Sequence, residues 1–175
     1  MKGFHRGIPL TMTWSNDQLV FYQKLLLTVA DKHSWIAIAA ACFPEFSPTA
    51  PASEEAIARG EQKLGRKLPE DLRSLYLECD GIAAAYRRPV LSLEEMVVRN
   101  EDLRRNPSYL GLYMPFENLL FFGEEGNGDL YGYPIRNDGS YPHDVFQWDH
   151  ESDSRSWRAN SLRDLLARVA TDFCG

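Results

Sequence analysis

The sequence is short of cysteine, of histidine and of long apolar runs, and each shortage closes off a class of chemistry. Cys42, Cys79 and Cys174 are its only thiols, with no Cys-x-x-Cys pair, so neither a disulfide framework nor a zinc knuckle is indicated. That usage fits a reducing, cytoplasmic compartment. His5, His33, His143 and His150 are scattered and build no His-Glu-x-x-His helix, and no Gly-x-Ser-x-Gly elbow occurs. The longest apolar run, residues 35–43, is far short of the roughly 20 residues of a membrane helix and reads as core. Residues 1–12 carry Lys2 and Arg6 but no signal-length apolar stretch, so no export is expected. An excess of basic charge is also missing. Lys and Arg total 19 against 25 Asp and Glu, a net charge of −6, which disfavours non-specific nucleic-acid binding. No catalytic motif, metal site or cofactor signature emerges, and a non-enzymatic role is expected.

What is present is enough for a real core. With 175 residues, 44% of them hydrophobic and 12% aromatic, the chain fits one domain, or one domain with an appendage. Ser15 and Gln18 form a capping-box pattern before Leu19, Tyr22, Leu26 and Val29 at helical spacing, predicting a helix over residues 16–31. Residues 35–43 are read as a short buried helix. Three prolines within residues 44–52 hold the chain extended there and mark a linker. The resulting division is a mainly helical N-terminal extension over 1–45 and a domain over 46–175.

Ser53, followed by Glu54 and Glu55, caps a helix that places Ile57, Glu61 and Leu64 on one face and that Gly65 stops in the left-handed conformation. After Leu68, Pro69 suits a first helical position, with Leu72, Leu75, Tyr76 and Cys79 along the buried side and Asp80–Gly81 as terminator. Ser92 and Glu95 open a charged helix that Asn106 and Pro107 break. Short β-prone runs at 119–122 and 130–133 flank the turn-rich stretch from Gly123 to Asp129, a hairpin in which Gly128 supplies a positive φ or a bulge. Residues 145–148 form a third strand, and Ser161 with Asp164 caps a last helix. Helices first and hairpins later indicate an α+β fold.

Gly123, Gly126 and Gly128 do not make a phosphate loop, because Glu124, Glu125 and Asp129 would repel the anion and a strand follows. Glu124, Glu125, Asp129, Asp144, Asp149, Glu151 and Asp153 concentrate acid in the C-terminal half. Three readings stay open for them: a solvated face, a docking face for a partner, or a catalytic or metal-binding pair. Asp149, His150 and Glu151 are consecutive, and in a continuing strand only the two acids would share a side. Glu61, on an apolar stripe, needs a partner and is read as a tie to a neighbouring loop. Cys79 is read as a packed small side chain rather than a nucleophile.

Taken in order, Ile57, Glu61, Leu64, Gly65, Leu68, Pro69, Asp71, Leu72, Tyr76, Asp80 and Gly81, then Phe122, Gly123, Gly128, Asp129 and Tyr131, resemble the signature of the SUKH superfamily across about residues 46–173. The resemblance implies an α+β domain with a twisted, largely antiparallel sheet flanked by helices, its motif residues serving as scaffold. It also implies, for most bacterial members, an immunity protein that binds and neutralises a cognate toxin domain, often a nuclease. Fungal relatives act in regulation, so an adaptor that binds a host protein is the alternative. On this reading the acidic residues mask a basic substrate groove, with carboxylates standing in for phosphates. No nucleic acid, membrane or cofactor is expected.

Overall fold

Serine side chains at helix entrances set much of the architecture. The computed structural model describes residues 14–30 and 33–172. Helices α1 (Asn16–Ala30), α2 (Trp35–Cys42), α3 (Glu54–Leu64) and α4 (Glu70–Tyr76) come first, then strands β1 (Ile82–Ala84) and β2 (Arg87–Val90). Helices α5 (Leu93–Arg105) and α6 (Pro107–Leu110) follow, then β3 (Leu119–Glu124), β4 (Leu130–Pro134), β5 (Val145–Trp148), β6 (Arg155–Ala159) and α7 (Leu162–Asp172). Ser53 Oγ accepts the Ala56 N–H at 3.2 Å, Ser161 Oγ accepts the Asp164 N–H at 3.1 Å, and Ser92 with Glu95 forms a reciprocal box. Each satisfies amides that the first helical turn leaves unpaired. Gly65 ends α3 with φ 68°, its N–H and that of Arg66 returning to the Gln62 and Glu61 carbonyls, a left-handed cap that a Cβ would disfavour.

The strands form one sheet in sequence order, β1-β2-β3-β4-β5-β6, every neighbouring pair antiparallel. Gly123 allows β2 and β3 to meet closely, since a Cβ there would lie 2.1 Å from the Pro89 carbonyl oxygen. The pairing of β3 with β4 shifts register between Phe121 and Gly123, a bulge next to that close approach.

Alternation along β3 buries both faces of the sheet. Leu120 and Phe122 join Tyr131, Tyr133, Val145 and Ala159 in the main core, completed by residues of α1, α2, α3, α4, α5 and α7. Leu119 and Phe121 turn to the opposite side, where Leu103, Phe116, Leu130 and Trp148 form a second cluster. Tyr22 and Leu25 of α1 and Trp35 and Ile38 of α2 belong to the main core.

The architecture is α+β with a six-stranded antiparallel sheet, and some local expectations need correction. Pro69 precedes α4 as its cap instead of occupying its first turn, and α4 closes at Tyr76 instead of running to Asp80. The reason is tertiary. The chain tightens after Tyr76, and the Glu78 carboxylate turns to α2, accepting the Trp35 N–H at 2.8 Å and the Ser34 hydroxyl at 2.7 Å. Cys79 therefore lies beyond the helix; it is fully buried, and burial pushes its thiol up to about 11. Strands β1, β2 and β6 and the short α6 were not expected from local pattern. Residues 149–151 turn between β5 and β6 and do not extend a strand. The expectation for residues 1–12, the end of the first helix at Asp31 and Cys174 lie outside the described residues. No helix among the described residues is long and apolar enough to cross a membrane.

Candidate functional site

The meander gathers three hairpin tips at one end of the sheet. Ala84 pairs with Arg87, Glu124 with Leu130 and Trp148 with Arg155, each closing a turn, while Arg88 opposite Glu124 and Leu130 opposite Trp148 align the turns side by side. Glu124, Glu125, Asp129, Asp149, Glu151 and Asp153 all fall at this end. Asp144 stands at the far end of β5, where its carboxylate accepts the Trp157 indole N–H at 3.2 Å.

The acidic side chains differ sharply in what they touch. Glu124 accepts from Arg88 Nε at 2.8 Å and Nη2 at 2.6 Å and from Arg99 Nη2 at 3.2 Å, and Arg88 also pairs with Glu95. Glu125 pairs with Arg87 at 3.0 Å, and its burial raises the carboxyl above its ordinary range. Asp153, at φ 54°, accepts the Trp148 indole N–H at 2.7 Å and the Met114 N–H at 2.6 Å. These three carboxylates are structural ties within the chain. Asp149 accepts the N–H groups of Glu151 and Ser152, both at 2.9 Å, shaping the β5–β6 turn, and Glu151 faces solvent at its crest. Sequence reasoning missed Arg88 and Arg99, which are remote from Glu124 along the chain and carry no local signal.

Asp129 fixes the two neighbouring tips to each other. Buried at the start of β4, it accepts from Asn127 Nδ2 at 3.2 Å, Gln147 Nε2 at 3.0 Å and the His150 N–H at 3.2 Å. Burial raises its carboxyl, and these hydrogen bonds, led by that of the His150 ring, outweigh burial and hold it below the ordinary range. Gly128, at φ 109°, lies under that ring, 3.0 Å from where its Cβ would be.

The motif residues of α3 and α4 sit away from this end. Glu61 is 7% exposed and accepts the Leu68 N–H at 3.1 Å and Lys67 Nζ at 2.6 Å, so it ties α3 to the loop before Pro69. Ile57 and Leu68 are buried beside it in the main core. Gly81, at φ 93°, packs against the backbone of Val90, Leu91 and Ser92.

A cleft of about 610 Å³ opens elsewhere, between α2, α4, the β4–β5 loop and α7, with Trp35, Asp71, Glu78, Tyr133 and Tyr141 on its walls. Its central carboxylates are engaged. Asp71 accepts the Tyr133 hydroxyl at 2.7 Å and the Leu72 N–H at 2.8 Å, and Glu78 caps α2. Among the described residues no three His, Cys, Asp or Glu side chains converge as a metal site would require.

The family model described as SMI1 / KNR4 family (SUKH-1) matches residues 51–168. That span runs from the residues before α3 into α7 and contains the whole sheet. No curated protein matches the chain.

Proposed function

The chain belongs to the SMI1/KNR4 family (SUKH-1), and from that premise we propose that it is an immunity protein, which neutralises a cognate toxin domain by covering it. The observation that carries this reading is the pair of outward carboxylates, Asp149 and Glu151, on the β5–β6 turn in a chain of net charge −6. Glu151 and Asp149 present their charge outward. Glu124, Glu125 and Asp153 shape the tips from within, and Asp144 lies apart. An acidic turn at the end of a sheet suits a basic groove that evolved for phosphates, because complementary potentials speed encounter and fix orientation.

The test uses the toxic domain encoded beside this gene, titrated by calorimetry at several salt concentrations. Asp149→Lys with Glu151→Lys is expected to weaken binding about tenfold or more and to flatten its salt dependence. Asp144→Lys is expected to change neither. Unchanged affinity and slope in the double variant would remove the acidic end from the interface, and capture of only an endogenous host protein would replace immunity with regulation.

A further inference from the structure

Between α5 and β3 the chain lays a short segment over the second face of the sheet, and its side chains divide by direction. Tyr113 and Phe116 turn inward. Tyr113 meets Trp148 edge-on with ring centroids 5.0 Å apart, and Phe116 meets Trp148 at 5.1 Å and Phe121 at 5.5 Å. Leu110, Leu112 and Met114 turn outward and remain 58%, 69% and 54% exposed.

The backbone that carries them is fixed. Asp153 accepts the Met114 N–H at 2.6 Å, Arg155 donates to the carbonyls of Met114 at 2.7 Å and Pro115 at 2.9 Å, and the Tyr113 hydroxyl donates to the His150 carbonyl at 3.0 Å. Three large apolar side chains within five residues are thus held in water on an ordered backbone. Isolated exposed leucines are ordinary, but three large apolar side chains exposed within five residues mark an interaction surface. Its rigidity also lowers the ordering entropy that binding would cost.

We propose that Leu110, Leu112 and Met114 are the apolar anchor of the toxin interface, seated on a protein face with an apolar centre and a basic rim. The proposal rests on the immunity reading and names the surface it uses. Charge complementarity selects the occupant. The contacts that pin the segment join it to the β5–β6 turn, so Asp149 and Glu151 edge the platform. The nearby Arg155 is engaged by the two carbonyls, by Asp153 at 3.6 Å and by the Phe116 ring, 5.1 Å from its guanidinium carbon. An anionic lipid surface would meet these carboxylates unfavourably. A symmetric second copy would bring like-charged turns towards each other.

The experiment uses the full chain, with the toxic domain encoded beside its gene as the probe. Leu112→Ser is expected to weaken binding on the order of 30-fold, as truncation of a central anchor does. Its melting temperature should stay that of the parent, and Val98→Ser, an exposed apolar position on α5, should leave binding unchanged. If single and combined serine variants of Leu110, Leu112 and Met114 all bind like the parent while Glu151→Lys weakens binding, the platform is not the anchor and the immunity reading stands. If the parent fails to bind the probe, the immunity reading and the toxin anchor that rests on it fall together.

Discussion

His150 Nδ1 lies 2.8 Å from Asp129 Oδ1, so a half-exposed imidazole on the β5–β6 turn is joined to a buried carboxylate at the start of β4. The Asp129 hydrogen bond comes first in raising the His150 pKa above its ordinary 6.5; slight burial opposes it, and the charges of Asp129, Glu151 and Asp149 add to it.

Stability should therefore depend on pH in a definite direction. The folded state holds the His150 proton more tightly than the unfolded chain, so this contribution is complete below the ordinary value and is lost as pH rises through the folded one. His150→Gln is expected to lower the melting temperature more at about pH 5.5 than at about pH 8.5. An equal or larger loss at the alkaline end would mean that the ion pair does not hold the two tips together.

Two glycines should respond differently to the same methyl group. At Gly123 a Cβ would lie 2.1 Å from the Pro89 carbonyl oxygen, whereas at Gly65 nothing stands within 4 Å and only the left-handed backbone resists. Gly123→Ala is expected to cost about 3 kcal/mol, because β2 and β3 must separate. Gly65→Ala should cost about 1 kcal/mol. Urea unfolding of both variants measures the order, and equal costs would contradict the close approach of the two strands.

The attachment of α1 rests on a buried polar group. Asp164 accepts Arg168 Nε and the Asn160 N–H, both at 2.9 Å, and also the Tyr22 hydroxyl. Arg168 is itself buried, with the rings of Trp157, Tyr22 and Trp14 around its guanidinium. Asp164→Ala leaves that cation buried without its carboxylate and is expected to cost about 3–5 kcal/mol. Tyr22→Phe removes one hydrogen bond and should cost about 1 kcal/mol. Similar losses in both, measured by thermal unfolding, would show that Asp164 matters to α1 alone.

The capped helices and the central hairpin were legible because their signals are local. Ser53, Ser92 and Ser161 each announce a helix within three residues, and residues 119–122 and 130–133 are short β-prone runs that flank a turn. Strands β1, β2 and β6 were not legible, since Arg87-Arg88-Pro89-Val90 and Arg155-Ser156-Trp157-Arg158-Ala159 carry no alternating pattern and become strands through their neighbours. The same limit governs the acidic residues. Composition places Glu124 and Asp153 in one acidic group, but Arg88 reaches Glu124 from 36 residues away and Met114 meets Asp153 from 39. Only the fold separates carboxylates that face solvent from those that hold the tips in shape. Nor did periodicity single out Leu110, Leu112 and Met114, whose outward direction follows from the inward pull of Tyr113 and Phe116.

A sheet whose strands lie in sequence order has a kinetic corollary. The tight turns at β1–β2, β3–β4 and β5–β6 close short loops, and such closures cost little chain entropy. The contact between Tyr22 and Asp164, by contrast, spans 142 residues. Among the described helices α1 is made first, and α7, which supplies the acceptor for Tyr22, is made last. The meander can assemble as the chain emerges, whereas the contact between Tyr22 and Asp164 must wait until α7 has been made.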